Sequence, residues 1–144
     1  MTELEILNVQ ANSNQATGVY FVGMAFSIWV AFRVSSVVSQ RTPDNTVMKA
    51  IASAFGICIV YYFNLVQSFY NYNMELAGHR LAVLKANGGE VSQAGMNYVE
   101  NIGASTAAPQ FSLVPVDPIQ YVFMASVLAI ILLPLWGPQP NDNA

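Results

Sequence analysis

One cysteine and one histidine are all that this 144-residue chain has for thiol or imidazole chemistry. Cys58 has no second thiol, which excludes an intramolecular disulfide and any paired-cysteine metal motif. Lying within an apolar stretch, it is expected to be a buried thiol. Charge is equally scarce. Lys, Arg, Asp and Glu make up 9% of the chain, against about a quarter in ordinary globular proteins. The five Lys and Arg are scattered and form no basic patch, so nucleic-acid binding has no electrostatic support. The net charge of −3 is too small to steer a partner over distance.

Targeting features are missing too. The opening Met-Thr-Glu-Leu-Glu carries two acids and no base, whereas a secretory signal needs a basic n-region. The first apolar stretch is therefore expected to be a retained span and not a cleaved leader. Thr2 stands where myristoylation needs glycine, and the ending Asn-Asp-Asn-Ala offers no prenylation box. The chain also lacks a nucleophile elbow and a glycine-rich phosphate loop, and Gly88-Gly89 reads as a helix stop. No enzymatic activity or cofactor is expected from these residues.

What is present is apolar. Residues 6–32, 50–74 and 118–141 contain no charged side chain, and a helix crosses a bilayer with about 20 mostly apolar residues. Two Trp, seven Tyr and eight Phe argue against disorder. The expected fold is an all-α membrane protein. It has three transmembrane helices and a small extramembrane helical cap between spans two and three, forming a single membrane domain. The spans are placed at about 16–38, 48–74 and 118–136, with the second continuing as a protruding helix to residue 86. The outer cap covers 75–117.

Local signals set these bounds. Residues 39–45 hold Pro43 and read as a tight polar turn, after which Asp44, Asn45 or Thr46 can cap the second helix. No glycine or proline except Gly56 interrupts 50–77, and Met74, Ala77, Leu81 and Leu84 keep helical spacing to the Gly88-Gly89 stop. A helix over 47–86 would be roughly 60 Å long at 1.5 Å per residue. A surface helix is expected at about 91–102, with Val91, Gly95, Tyr98, Val99 and Ile102 on one face and Gly103 as its end. Residues 104–118 hold three prolines and read as an extended loop, after which Asp117-Pro118 opens the last helix.

Orientation follows the Lys and Arg bias of short loops. The first connector is flanked by Arg33, Arg41 and Lys49, the second carries Arg80 and Lys85, and neither tail has a base. The N-terminus is expected outside and the C-terminus in the cytoplasm. Under that topology Tyr20, Tyr61, Tyr62, Tyr70, Tyr72 and Tyr121 fall towards the outer interface, and Trp29 and Trp136 towards the inner one.

Three constellations stand out. Gly23, Ser27, Ala31 and Ser35 recur at intervals of four, and Ala50, Ala52, Ala54 and Gly56 offer matching small positions on the second helix. In lipid, small residues let backbones approach, so these are helix-packing candidates, within the chain or against a partner subunit. Tyr61, Asn64, Ser68 and Asn71 form a polar seam that Glu75 and His79 continue. The seam serves either interhelical hydrogen bonding or a polar path. Glu75 and His79, four apart, could share a metal ion or a proton, although an ordinary surface pair on a helix has the same spacing.

The expected function is that of a non-catalytic accessory or structural subunit of a larger integral-membrane assembly, its partners being the lipid bilayer and other membrane subunits, or itself as a homo-oligomer. The alternatives are a small oligomeric channel or transport protein that uses the seam, and a metal-carrying subunit that uses Glu75 and His79.

Overall fold

In the computed structural model, which describes residues 1–138, four α-helices follow one another: α1 (Glu3–Arg41), α2 (Thr46–Ala86), α3 (Gln93–Ile102) and α4 (Pro118–Trp136). The described residues contain no strand. By length and composition α1, α2 and α4 are long and apolar enough to cross a membrane. The chain forms two compact units, one of Met1–Tyr20 with Leu65–Val114 and one of Phe21–Asn64 with the chain from Pro115 on.

Helix ends follow the capping chemistry of the sequence. Asp117 accepts the N–H of Ile119 at 2.9 Å, with Pro118 in the first turn. Asn45 accepts the N–H of Met48 at 3.0 Å and so caps α2. Ser92 accepts the N–H of Gly95, and this cap starts α3 two residues later than the expected 91. Gly103 ends α3 in the left-handed conformation (φ 69°), which costs glycine little.

One expectation for α1 needs correction: the helix runs through 39–41, which were expected to turn. It begins at Glu3, ahead of the span placed at about 16–38. At its start, Thr2 and Glu5 form a reciprocal capping box, the Thr2 hydroxyl accepting the Glu5 N–H and the Glu5 carboxylate accepting the Thr2 N–H. Ile6, 1% exposed, then anchors the first turns by burial. Cys58 also differs from expectation: it is exposed, on a part of α2 where Ile59 and Val60 are the buried side chains.

In the first unit, Ile6 of α1 packs with Ala77 and Leu81 of α2 and Val99 of α3. Leu81 is 0% exposed. The loop after α3 is held to α2 at two places. A Cβ placed on Gly78 would lie 2.7 Å from the Cβ of Ala104, so α2 needs glycine for that approach. Further along, Phe111 packs on Phe69 with ring centroids 4.8 Å apart and planes tilted by 39°, and it meets Tyr72 edge-on at 5.9 Å.

In the second unit, Ala31 of α1, Ile59 and Val60 of α2, and Val127 and Ile131 of α4 form the core. Val38, Ala52 and Leu135 form a second cluster. Phe63 lies 5.9 Å from Phe21 and 4.9 Å from Phe123, so one ring joins three helices. Ile131 is fully buried, and a Cβ built on Gly56 would fall 2.7 Å from its Cγ2.

That contact generates a test. Alanine at Gly56 would gain about 1 kcal/mol of helix propensity while overpacking costs roughly 1–3 kcal/mol, so the larger Gly56→Leu is the cleaner probe. Equilibrium unfolding in detergent should show Gly56→Leu destabilised by at least about 1 kcal/mol. Combined with Ile131→Ala, the loss should be smaller than the sum of the two single losses, since the pair shares one space. Strict additivity would mean that the two residues do not meet.

Candidate functional site

The small-residue stripe is used in part. Ala31 and Ser35 are buried, and the Ser35 hydroxyl donates to the carbonyl of Ile131 on α4 at 2.5 Å. Ala52 and Gly56 are buried against Leu135 and Ile131. The stripe therefore meets α4 as well as α2. Its other end is open: a Cβ on Gly23 would have nothing within 4 Å, and Ser27 turns its hydroxyl to the Gly23 carbonyl of its own helix at 2.9 Å.

The seam residues occupy different surroundings. In the second unit Tyr61 is 51% exposed. Asn64 is half-buried and accepts a hydrogen bond from the Gln120 amide of α4 at 2.9 Å. In the first unit Ser68 is buried and Asn71 accepts from Gln67 of its own helix at 3.3 Å. Glu75 and His79 are half-buried, and Nδ1 of His79 lies 3.0 Å from the Ser105 carbonyl. Among the described residues no three His, Cys, Asp or Glu side chains converge as a metal-binding group.

Two polar clusters of the first unit were missed in the sequence. In one, the Tyr98 hydroxyl donates to the Met74 carbonyl at 3.1 Å and accepts from the Gln10 amide. That amide also lies 3.0 Å from the Met74 sulfur, with the Asn14 amide nitrogen at 3.9 Å from it. The Asn14 Oδ1 is buried and has no hydrogen-bond partner among the described residues. Burial pushes the Tyr98 hydroxyl above its ordinary pKa, and the bond from Gln10 opposes that shift. The partners are 24 to 88 residues apart, so no local spacing could have signalled the cluster.

The second cluster ties the start of α1 to the start of α3. Glu3 accepts the Ser92 hydroxyl at 2.6 Å and the Ser92 N–H at 2.7 Å. The same hydroxyl accepts the Gly95 N–H at 3.1 Å, so its own proton is left for Glu3. A Cβ on Gly95 would be 2.5 Å from the Glu3 Oε1, so glycine clears the carboxylate's seat. Negative charge is favoured at a helix N-terminus. The side-chain and backbone bonds from Ser92 hold the Glu3 carboxyl below the usual carboxylate range.

Comparison with family models, with curated proteins and with solved structures finds no match for this chain.

Two measurements follow. Because the folded-state pKa of Glu3 is lowered, its contribution is present above the ordinary carboxylate pKa and is lost as pH falls through the lowered value. Amide exchange in the first turn of α3 should therefore accelerate in acid, and Glu3→Gln should show the faster exchange already at neutral pH. Equal protection in both proteins at pH 7 would mean that Glu3 does not hold the start of α3. For the α2–α4 amide pair, Asn64→Leu and Gln120→Leu should each cost little, with a coupling energy of about 0.6 kcal/mol in a double-mutant cycle, the average for such bonds in membranes.

Proposed function

We propose that the chain is an integral-membrane protein that acts as a non-catalytic accessory or structural subunit of a larger membrane assembly, through its apolar helices and its extramembrane residues 75–117. The observation that carries this reading is how little of its apolar surface the chain covers by itself. Within the most apolar 18-residue window of α1, α2 and α4, only 17%, 22% and 22% of residues are buried. Phe26, Trp29, Phe55, Ile57, Ile130 and Leu133 are all exposed large side chains, and exposed apolar surface on this scale marks contact with lipid or protein.

Packing chemistry favours protein as part of that cover. Helices in lipid associate through close backbone approach at small residues. Gly18 and Gly23 leave such an approach open on α1. The seam amides support the subunit reading over a channel, because Asn64 spends its carbonyl on Gln120 and Asn71 on Gln67. In the proposed topology the connector bearing Arg41 is cytoplasmic and both the N-terminus and α3 are outside, in keeping with the Lys and Arg bias.

Mild-detergent extraction from the native membrane, followed by mass spectrometry of a native-gel band, tests the assignment. The subunit reading expects stoichiometric co-migration with chains of different sequence. A single-component oligomer that conducts ions, with conductance altered by Asn64→Leu, would replace it by the channel reading. Orientation is checked by replacing Cys58 and placing single cysteines at the exposed residues 45 and 97. An impermeant reagent applied to intact cells should label residue 97 and spare residue 45.

A further inference from the structure

Arg80 is half-buried in the first unit, and among the described residues it has neither a carboxylate within ion-pairing distance nor a hydrogen-bond partner. The unit is nevertheless rich in acids: Glu3, Glu5, Glu75, Glu90 and Glu100. A guanidinium presents five N–H donors in a planar fork that matches a carboxylate. Arg80 lines two adjoining clefts between the beginning of α1 and α2. The smaller, of about 130 Å³, adds neutral polar groups from Gln10, Ser13 and Asn73 over an apolar floor of Ile6, Leu76 and Ala77. The larger, of about 360 Å³, shares Ile6 and Arg80 and continues along Val83 and Leu84.

We propose that Arg80 is the seat of a carboxylate borne on an apolar carbon, its head paired with the guanidinium and its carbon chain along Val83 and Leu84 of the larger cleft. Arg80 is the one base on the wall shared by the two clefts; His79 and the N-terminal residue Met1 line only the larger one, and Lys85 is exposed at the end of α2. The five glutamates of the unit disfavour a second negative charge, so the site is matched to a monoanion and not to a phosphate dianion. The carboxylate comes either from a small free acid or from an Asp or Glu of a neighbouring chain. The site stands on the geometry of the first unit and does not depend on the membrane assignment.

The test uses the full chain in a neutral detergent. Sodium acetate and sodium butyrate are titrated at ionic strength held constant with chloride, and the Nε–H resonance of Arg80 and the thermal midpoint are followed. Both carboxylates should shift the resonance saturably and raise the midpoint above the chloride control. Butyrate should bind more tightly than acetate, by up to roughly fourfold for each added methylene. Arg80→Gln should abolish the rise in midpoint, and Arg80→Lys should keep a weaker one because it retains charge without the fork. A response of Arg80→Gln equal to the wild type, or a non-saturating shift no different from chloride, overturns the proposal. The native assembly separates the two sources: an Arg80 resonance that no longer answers acetate there, but does so after subunit dissociation, identifies a neighbour's acid. An unchanged answer identifies a free one.

Discussion

The missing side chain at Gly56 sets the packing of the second unit. Because α2 carries only hydrogen there, Ile131 can enter against its backbone and be completely buried. That approach brings α4 near enough for the Ser35 hydroxyl of α1 to reach the Ile131 carbonyl. Dispersion falls off within an ångström of optimal contact. A bulkier residue at position 56 would therefore act on every contact along this line, from Ala31 and Ile59 to Val127. The hydroxyl–carbonyl bond adds direction that apolar contact lacks.

The first unit is held together differently. Its apolar cluster is small, and polar ties fix the short elements around it: Glu3 on Ser92, Tyr98 on Met74 and Gln10, and His79 beside the Ser105 carbonyl. α3 has only 10 residues, too few to persist alone in water, where isolated helices need about 12–15. Its N-cap, its left-handed glycine terminus and the carboxylate at its start supply what length does not. Burial of Gly95 and Val99 then orients it.

Elements with an amphipathic face or a capping residue were legible in the sequence. The spacing of Val91, Gly95 and Val99 located α3, Asp117-Pro118 located the start of α4, and the helical spacing of Met74, Ala77, Leu81 and Leu84 up to Gly88-Gly89 showed the length of α2. The early start of α1 was missed although Thr2 and Glu5 spell a capping box, because Asn8, Asn12 and Asn14 dilute the apolar pattern behind it. The partner of Asn64 was missed because α4 is apolar on every side, so periodicity names no inward face. The signal available was Gln120 itself, an amide near the start of an otherwise apolar helix. The Gln10, Met74 and Tyr98 cluster had no local signal, since only the folded chain brings it together.

Each helix of the second unit spends a narrow line of side chains on its neighbours. On α4 that line is Val127, Ile131 and Leu135, spaced by four, and on α1 it is Ala31, Ser35 and Val38. A line of this width is a fraction of a helix circumference, and the rest of α4 is as apolar as the part it buries. In water that remainder would favour collapse onto other molecules. In a bilayer it is at no disadvantage, and what then discriminates neighbours is fit and hydrogen bonding, because lipid tails are as apolar as leucine. The unfilled space at Gly23 and the limited burial of the three apolar helices are thus two aspects of one physical state. Within each unit the internal contacts fix a narrow line on every helix, and they leave most of the apolar surface of α1, α2 and α4 uncovered.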